Sequence, residues 1–165
     1  MLPMRRLALL LLPALSFANV AAAQSAPSLS IPLNAETLRG VPVTTGVFPA
    51  DQLYKRDVRV QAYRLDDVLG RNVADLQQLA AAGYTVTFLC SDGYAPKARL
   101  ADLLGQGGLL AFADADAGEA RWSPVSYRDK PLNATAVGHY LNWPGGAAKK
   151  PVPWGVVTLE LKPGS

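Results

Sequence analysis

The chain has 165 residues, enough for one hydrophobic core and too few to require two. Half of the residues are hydrophobic and 18% are charged, which excludes a disordered chain, and no apolar run is long enough for a multi-span membrane protein. The formal charge is +3, and a single cysteine, Cys90, with a single histidine, His139, excludes an intrachain disulfide framework, a Cys/His zinc site and a CxxCH haem attachment.

Residues 1–23 read as a secretory signal. Arg5 and Arg6 precede a Leu-rich run from Leu7 to Leu15, and the stretch closes on Ala21-Ala22-Ala23. The apolar run is shorter than the ~18 residues of a spanning helix and holds Pro13. The expectation is a single domain over residues 24–165, starting at Gln24, periplasmic or secreted, with no membrane contact after cleavage. Arg5-Arg6 leaves the general secretory and the twin-arginine routes both open. Loss of these two arginines brings the chain close to neutrality. The remaining bases are scattered, apart from Lys149-Lys150, and are not interleaved with aromatics, which argues against a nucleic-acid partner.

Leu29 to Leu33 is expected as a short strand stopped at Pro32, and Asn34 as the cap of one helical turn that Gly40 ends. Val41 to Val47 is β-branched, with Pro42 near its start, and Val58, Val60 and Ala62 alternate with Arg59 and Gln61 as in a half-buried strand. The pattern turns helical after a corner near Tyr63, with Asp66 and Asp67 in the first turn. A second helix is expected with Asn72 as its cap, Val73, Leu76, Leu79 and Ala80 on one face, and Gly83 as its stop. Tyr84 to Cys90 reads as a strand, Ser91-Asp92-Gly93-Tyr94 as a turn, and Ala101 to Leu104 as a short helix reached through Ala98 to Leu100. Leu109 to Ala113 reads as a buried strand, Asp114 to Glu119 as an acidic loop, and Val156 to Leu161 as a closing strand. Strands and helices without a regular βαβ rhythm predict an α+β fold, a mixed β-sheet with short helices.

The groups with chemical potential each have a structural explanation. Asp66-Asp67 suits a helix N-terminus, Asp114 and Asp116 suit a solvated loop, and His139 suits a strand end making one hydrogen bond. Ser91 lacks a nucleophile elbow, and Gly105-Gln106-Gly107-Gly108 is too short for a phosphate cradle. Tyr140, Trp143 and Trp154 admit two readings, core packing or a recognition surface for a redox partner or other protein.

The segments Leu65-Asp66-Asp67-Val68-Leu69, Val86 to Tyr94, Leu100-Ala101-Asp102-Leu103-Leu104 and Gly108 to Phe112 follow one another with a spacing that resembles the sulfite-oxidase-type molybdopterin-binding oxidoreductase domain. The block covers residues 58–113. The resemblance implies a domain that, in complete members of the family, buries a molybdenum-pterin cofactor and passes electrons to a cytochrome or quinone partner. In that family a cysteine upstream of the DGY strand holds the metal, and Val41 to Gly83 contains none. The expectation is therefore an accessory or binding module without cofactor or metal, beside a periplasmic redox protein or cytochrome, with Tyr140, Trp143 and Trp154 as its partner surface. The alternative is a true molybdopterin-dependent oxidoreductase in which Cys90 takes the metal and Ser91, Asp92, Gly93 and Tyr94 help to hold the cofactor.

Overall fold

A buried aliphatic at every second position makes a strand, and a buried stripe at helical spacing makes a helix; the chain alternates between the two from Leu29 onward. The computed structural model describes residues 26–165, so the expected signal segment and cleavage point lie outside the described residues. Strand β1 (Leu29–Pro32) ends on its proline, as expected. Asn34 then caps a single turn, its Oδ1 accepting from the N–H groups of Glu36 (3.0 Å) and Thr37 (3.1 Å). Strand β2 (Val43–Phe48) begins just after Pro42, and β3 (Val58–Arg64) buries Val58, Val60 and Ala62 and exposes Arg59 and Gln61.

Helix α1 (Leu65–Asn72) follows without a break, with Asp66 and Asp67 near its N-terminal dipole and Arg71 in its last turn. The second helix departs from expectation. Asn72 is the last residue of α1 rather than a cap, because its amide Nδ2 donates to the carbonyls of Val68 (2.8 Å) and Thr37 (2.9 Å). Val73 is extended and buried, the chain turns at Asp75, and α2 (Leu76–Ala81) is correspondingly short. Strand β4 (Thr85–Cys90) is where the alternation places it. The residues Lys97–Arg99, read only as a lead into a helix, form strand β5 against Thr85–Thr87 before α3 (Leu100–Leu103). The remaining elements are β6 (Leu109–Asp114), a hairpin of β7 (Val125–Tyr127) and β8 (Lys130–Leu132), α4 (Ala134–Val137), β9 (Tyr140–Asn142) and β10 (Val156–Lys162).

The fold is α+β, with most strands in two four-stranded sheets ordered β1-β10-β4-β5 and β2-β3-β6-β9. The expected mixed sheet is replaced by antiparallel pairing throughout the described strands. A parallel pair needs a crossover that returns the chain to the same sheet in the same direction. Here each excursion between neighbours either turns back directly or returns in the opposite direction.

The main core lies between the first sheet, the helices and one face of β6 and β9; it gathers Leu65, Val68, Val86, Phe88, Leu100, Leu110, Leu141 and Leu159. A second cluster of Phe48, Val58, Val60, Trp122 and Tyr140 covers the opposite face of the second sheet. Two glycines permit close approaches. A Cβ on Gly108 would lie 2.6 Å from the Trp143 ring, and Gly155, at φ +68°, would meet the Ala136 carbonyl at 2.9 Å. The same Cβ would lie 3.0 Å from Ser91 Oγ, and this close approach, with the bond from Ser91 N–H to the Gly155 carbonyl (2.8 Å), brings the start of β10 against the turn after β4.

Candidate functional site

The turn after β4 separates the five residues Cys90 to Tyr94 into two environments. Gly93 N–H donates to the Cys90 carbonyl (3.0 Å), and Tyr94 N–H to Asp92 Oδ1 (2.9 Å). Ser91, Asp92, Gly93 and Tyr94 are exposed, whereas Cys90 is 7% exposed and belongs to the main core. Its thiol lies 3.7 Å from the Phe88 carbonyl, and burial, aided by the charge of Asp92, pushes its pKa up to about 11. The form that binds metals and attacks electrophiles, the thiolate, is thus disfavoured at Cys90.

The aromatic trio divides as well. Tyr140 and Trp143 are only 1% and 2% exposed, so they pack inside, while Trp154 is half-buried. Trp143 stacks over Gly108 and donates its indole N–H to the Pro151 carbonyl (2.7 Å). Of the expected partner surface, Trp154 alone has substantial area to offer.

Trp154 stands at the junction of two adjoining clefts of about 350 Å³ and about 460 Å³, which share Tyr127, Arg128, Val152 and Trp154. Gln52, Leu53 and Lys55 border the first, and Asp92 and Tyr94 border the second. Tyr127 and Trp154 meet edge to face at 4.8 Å, and the Arg128 guanidinium lies over the Tyr127 ring at 5.2 Å. Among the described residues no carboxylate forms an ion pair with Lys55 or Arg128. Both cations also hold left-handed backbone, at φ 57° and 50°. Arg128 and Asp129, both at positive φ, form the two-residue loop of the β7–β8 hairpin, in which Tyr127 pairs with Lys130. Such a loop ordinarily carries Asn-Gly, and the absence of glycine concealed it in the sequence. This cleft, with aromatic walls and two cations lacking carboxylate partners, can hold an apolar group that carries negative charge.

Its floor is held by Asp51, a buried carboxylate that composition gave no reason to single out. Oδ1 accepts from the N–H groups of Leu53 (3.0 Å) and Tyr54 (2.9 Å), and Oδ2 from Tyr140 Oη (2.7 Å) and Asn142 Nδ2 (3.1 Å). Burial first, and the bond to Asp51 second, push the Tyr140 phenol pKa far up, so it remains a hydrogen-bond donor.

The other polar groups are structural. Asp114 is the last residue of β6 and is buried, not solvated; it accepts from Arg56 Nη2 (2.7 Å), Ser123 Oγ (2.6 Å) and Asp116 N–H (2.9 Å). Asp66 accepts from Gly105 N–H (2.9 Å), tying α1 to the turn after α3. His139 is half-buried beside Arg121 and Thr135, and burial lowers its pKa, which keeps it neutral. Among the described residues no three His, Cys, Asp or Glu side chains gather as a metal site. Comparison with protein-family models, curated proteins and solved structures found no match to this chain.

Proposed function

We propose that this chain is an exported, non-catalytic binding module that works beside an electron-transfer protein, and that the cleft around Tyr127, Arg128 and Trp154 receives the partner. The observation that carries this reading is the cleft itself: aromatic walls, a floor fixed by Asp51, and two cations without carboxylate partners. Rigid aromatics lose little rotamer freedom when covered, and cations without an internal partner attract an acidic surface from a distance. The strand–DGY–strand–helix block supports an oxidoreductase-like scaffold, and fold does not transmit activity where the ligand set differs. The position of Cys90 favours the non-catalytic reading over an enzyme with Cys90 on the metal. A soft metal centre needs a thiolate facing the cofactor, and this thiol faces the main core.

Photocrosslinking in an exporting host, from a photoreactive residue at position 127, tests the reading together with elemental analysis. The expected result is a specific adduct with an electron-transfer protein, lost on Arg128→Glu and absent from position 157 on the exposed face of β10. Absence of an adduct from position 127 overturns the binding site. A content near one molybdenum per chain, lost on Cys90→Ser, overturns the non-catalytic reading; less than about a tenth per chain agrees with it.

A further inference from the structure

We infer that the hollow between β6, the turn at Arg121 and helix α4 is a second ligand site, and that it takes a small organic monocarboxylate with an apolar or aromatic body. It has a volume of about 400 Å³ and is lined by Phe112, Arg121, Trp122, Ala134, Thr135 and His139. That volume lies in the range of small-molecule sites, roughly 300–1,000 Å³. None of these residues borders the clefts around Trp154.

Its rim is built from unusual backbone. A 3₁₀ turn at Gly118–Ala120 runs into Arg121, which holds φ 62° and ψ −48°. Trp122 N–H donates to the Ala120 carbonyl (2.7 Å), so Ala120-Arg121-Trp122 is a γ-turn of the rare, strained hand. The turn is pinned on both sides: Asp114 N–H donates to the Arg121 carbonyl (2.6 Å), and the Trp122 indole N–H to the Gly138 carbonyl (2.8 Å). Glycine adopts such a conformation without strain, so an arginine there is explained by what its side chain does.

That side chain lacks an internal partner. In the preceding acidic loop Asp114 binds Arg56 (2.7 Å) and Asp116 binds Arg59 (2.6 Å), while Glu119 is exposed. Among the described residues no carboxylate pairs with Arg121, and none lines the hollow. His139 is the other ionisable group on the wall, and Thr135 adds an exposed hydroxyl. Burial first, and the Arg121 charge to a smaller degree, lower the His139 pKa, so the imidazole adds no charge at neutral pH.

One permanent cation matches one negative charge, and a planar guanidinium matches the two oxygens of a carboxylate. Phe112, held against Tyr63 with ring centroids 5.0 Å apart, joins Trp122 and Ala134 in an apolar wall for the rest of the ligand. A dianion would leave one charge uncompensated, and a bare inorganic ion would leave that wall uncovered.

His139 is the single histidine of the chain, so its imidazole proton resonances report on this hollow without ambiguity. Benzoate is the probe, titrated into untagged protein at constant ionic strength. The expected result is a saturable shift of the His139 resonances, half-complete on the order of 1 mM, with acetate and benzyl alcohol at least about tenfold weaker. A carboxylate beside the imidazole favours its charged form, so the His139 pKa should rise at saturation. Arg121→Gly keeps the turn and removes the guanidinium; it should abolish the shift without lowering the thermal midpoint. Arg121→Gln gives the same reading should the glycine variant lose its fold, and Arg128→Gln, in the partner cleft, should leave the shift intact. The inference is overturned by a lack of saturable shift up to about 50 mM benzoate, by equal binding of benzyl alcohol, by binding that survives loss of the Arg121 guanidinium, or by binding lost on Arg128→Gln. The crosslink from position 127 tests the partner cleft separately.

Discussion

Buried carboxylates organise this molecule residue by residue. Asp51 and Asp114 each accept hydrogen bonds from several donors, local ones and at least one from a distant segment: Tyr140 and Asn142 for Asp51, Arg56 for Asp114. Burial alone would raise the Asp114 pKa, yet the bonds from Ser123, the Asp116 N–H and Arg56, together with the Arg56 charge, bring it below the ordinary carboxylate value. A depressed folded-state pKa contributes stability that is present above the unfolded pKa, near 4, and is lost as pH falls through the folded value. Denaturant midpoints measured from pH 6 to about pH 2.5 should therefore fall in the wild type and vary less in Asp114→Asn. At pH 6 that variant should be less stable by about 2 kcal/mol, the scale of lost charge-assisted bonds to a buried group. A wild-type stability that rises on acidification would contradict the assignment. Neither carboxylate was legible as a structural anchor. Asp114 reads as the start of an acidic loop, and only the strand pairing that buries it shows that it needs partners.

The hairpin of β7 and β8 shows how an element can be built against local preference. Its loop, Arg128-Asp129, holds positive φ at two residues with Cβ atoms, and each such residue carries a strain of about 1 kcal/mol. Arg128→Asn combined with Asp129→Gly restores the residues that primed turns favour. The double variant should be more stable by about 1 kcal/mol, read as a higher denaturant midpoint, while its crosslink from position 127 weakens. Loss of stability would mean that Arg128 serves the hairpin rather than the cleft. Other elements were readable because local and tertiary demands agree. The alternation of β3 and β4 and the corner into α1 are present where the pattern puts them. The start of α2 was not, since Asn72 can cap a helix or end one, and the carbonyls of Val68 and Thr37 decide between these roles.

For the molecule as a whole, β6 and β9 couple the two hydrophobic clusters. Leu109 and Ala111 face one cluster and Leu110 the other, and in β9 Tyr140 and Leu141 divide in the same way. Loss of either strand exposes both clusters, so unfolding should be a single cooperative event. Trp122 reports on one cluster and Trp143 on the other. Thermal transitions followed by tryptophan fluorescence and by far-ultraviolet circular dichroism should coincide, and separated midpoints would mean that the clusters unfold independently.

The sequence by itself determined the class of fold and most of the strands, because each depends on the local period of apolar residues. The tertiary structure alone decided the antiparallel order of the sheets and the cleft. Sheet order depends on which strand edges meet, and periodicity within a strand carries no record of its neighbour. The cleft joins Lys55 from the loop after β2, Asp92 and Tyr94 from the turn after β4, Arg128 from a hairpin and Trp154 from the segment before β10. No spacing along the chain links these residues; they meet because the second sheet seats Tyr140 on Asp51 and because Gly155 lets the start of β10 close against the turn after β4.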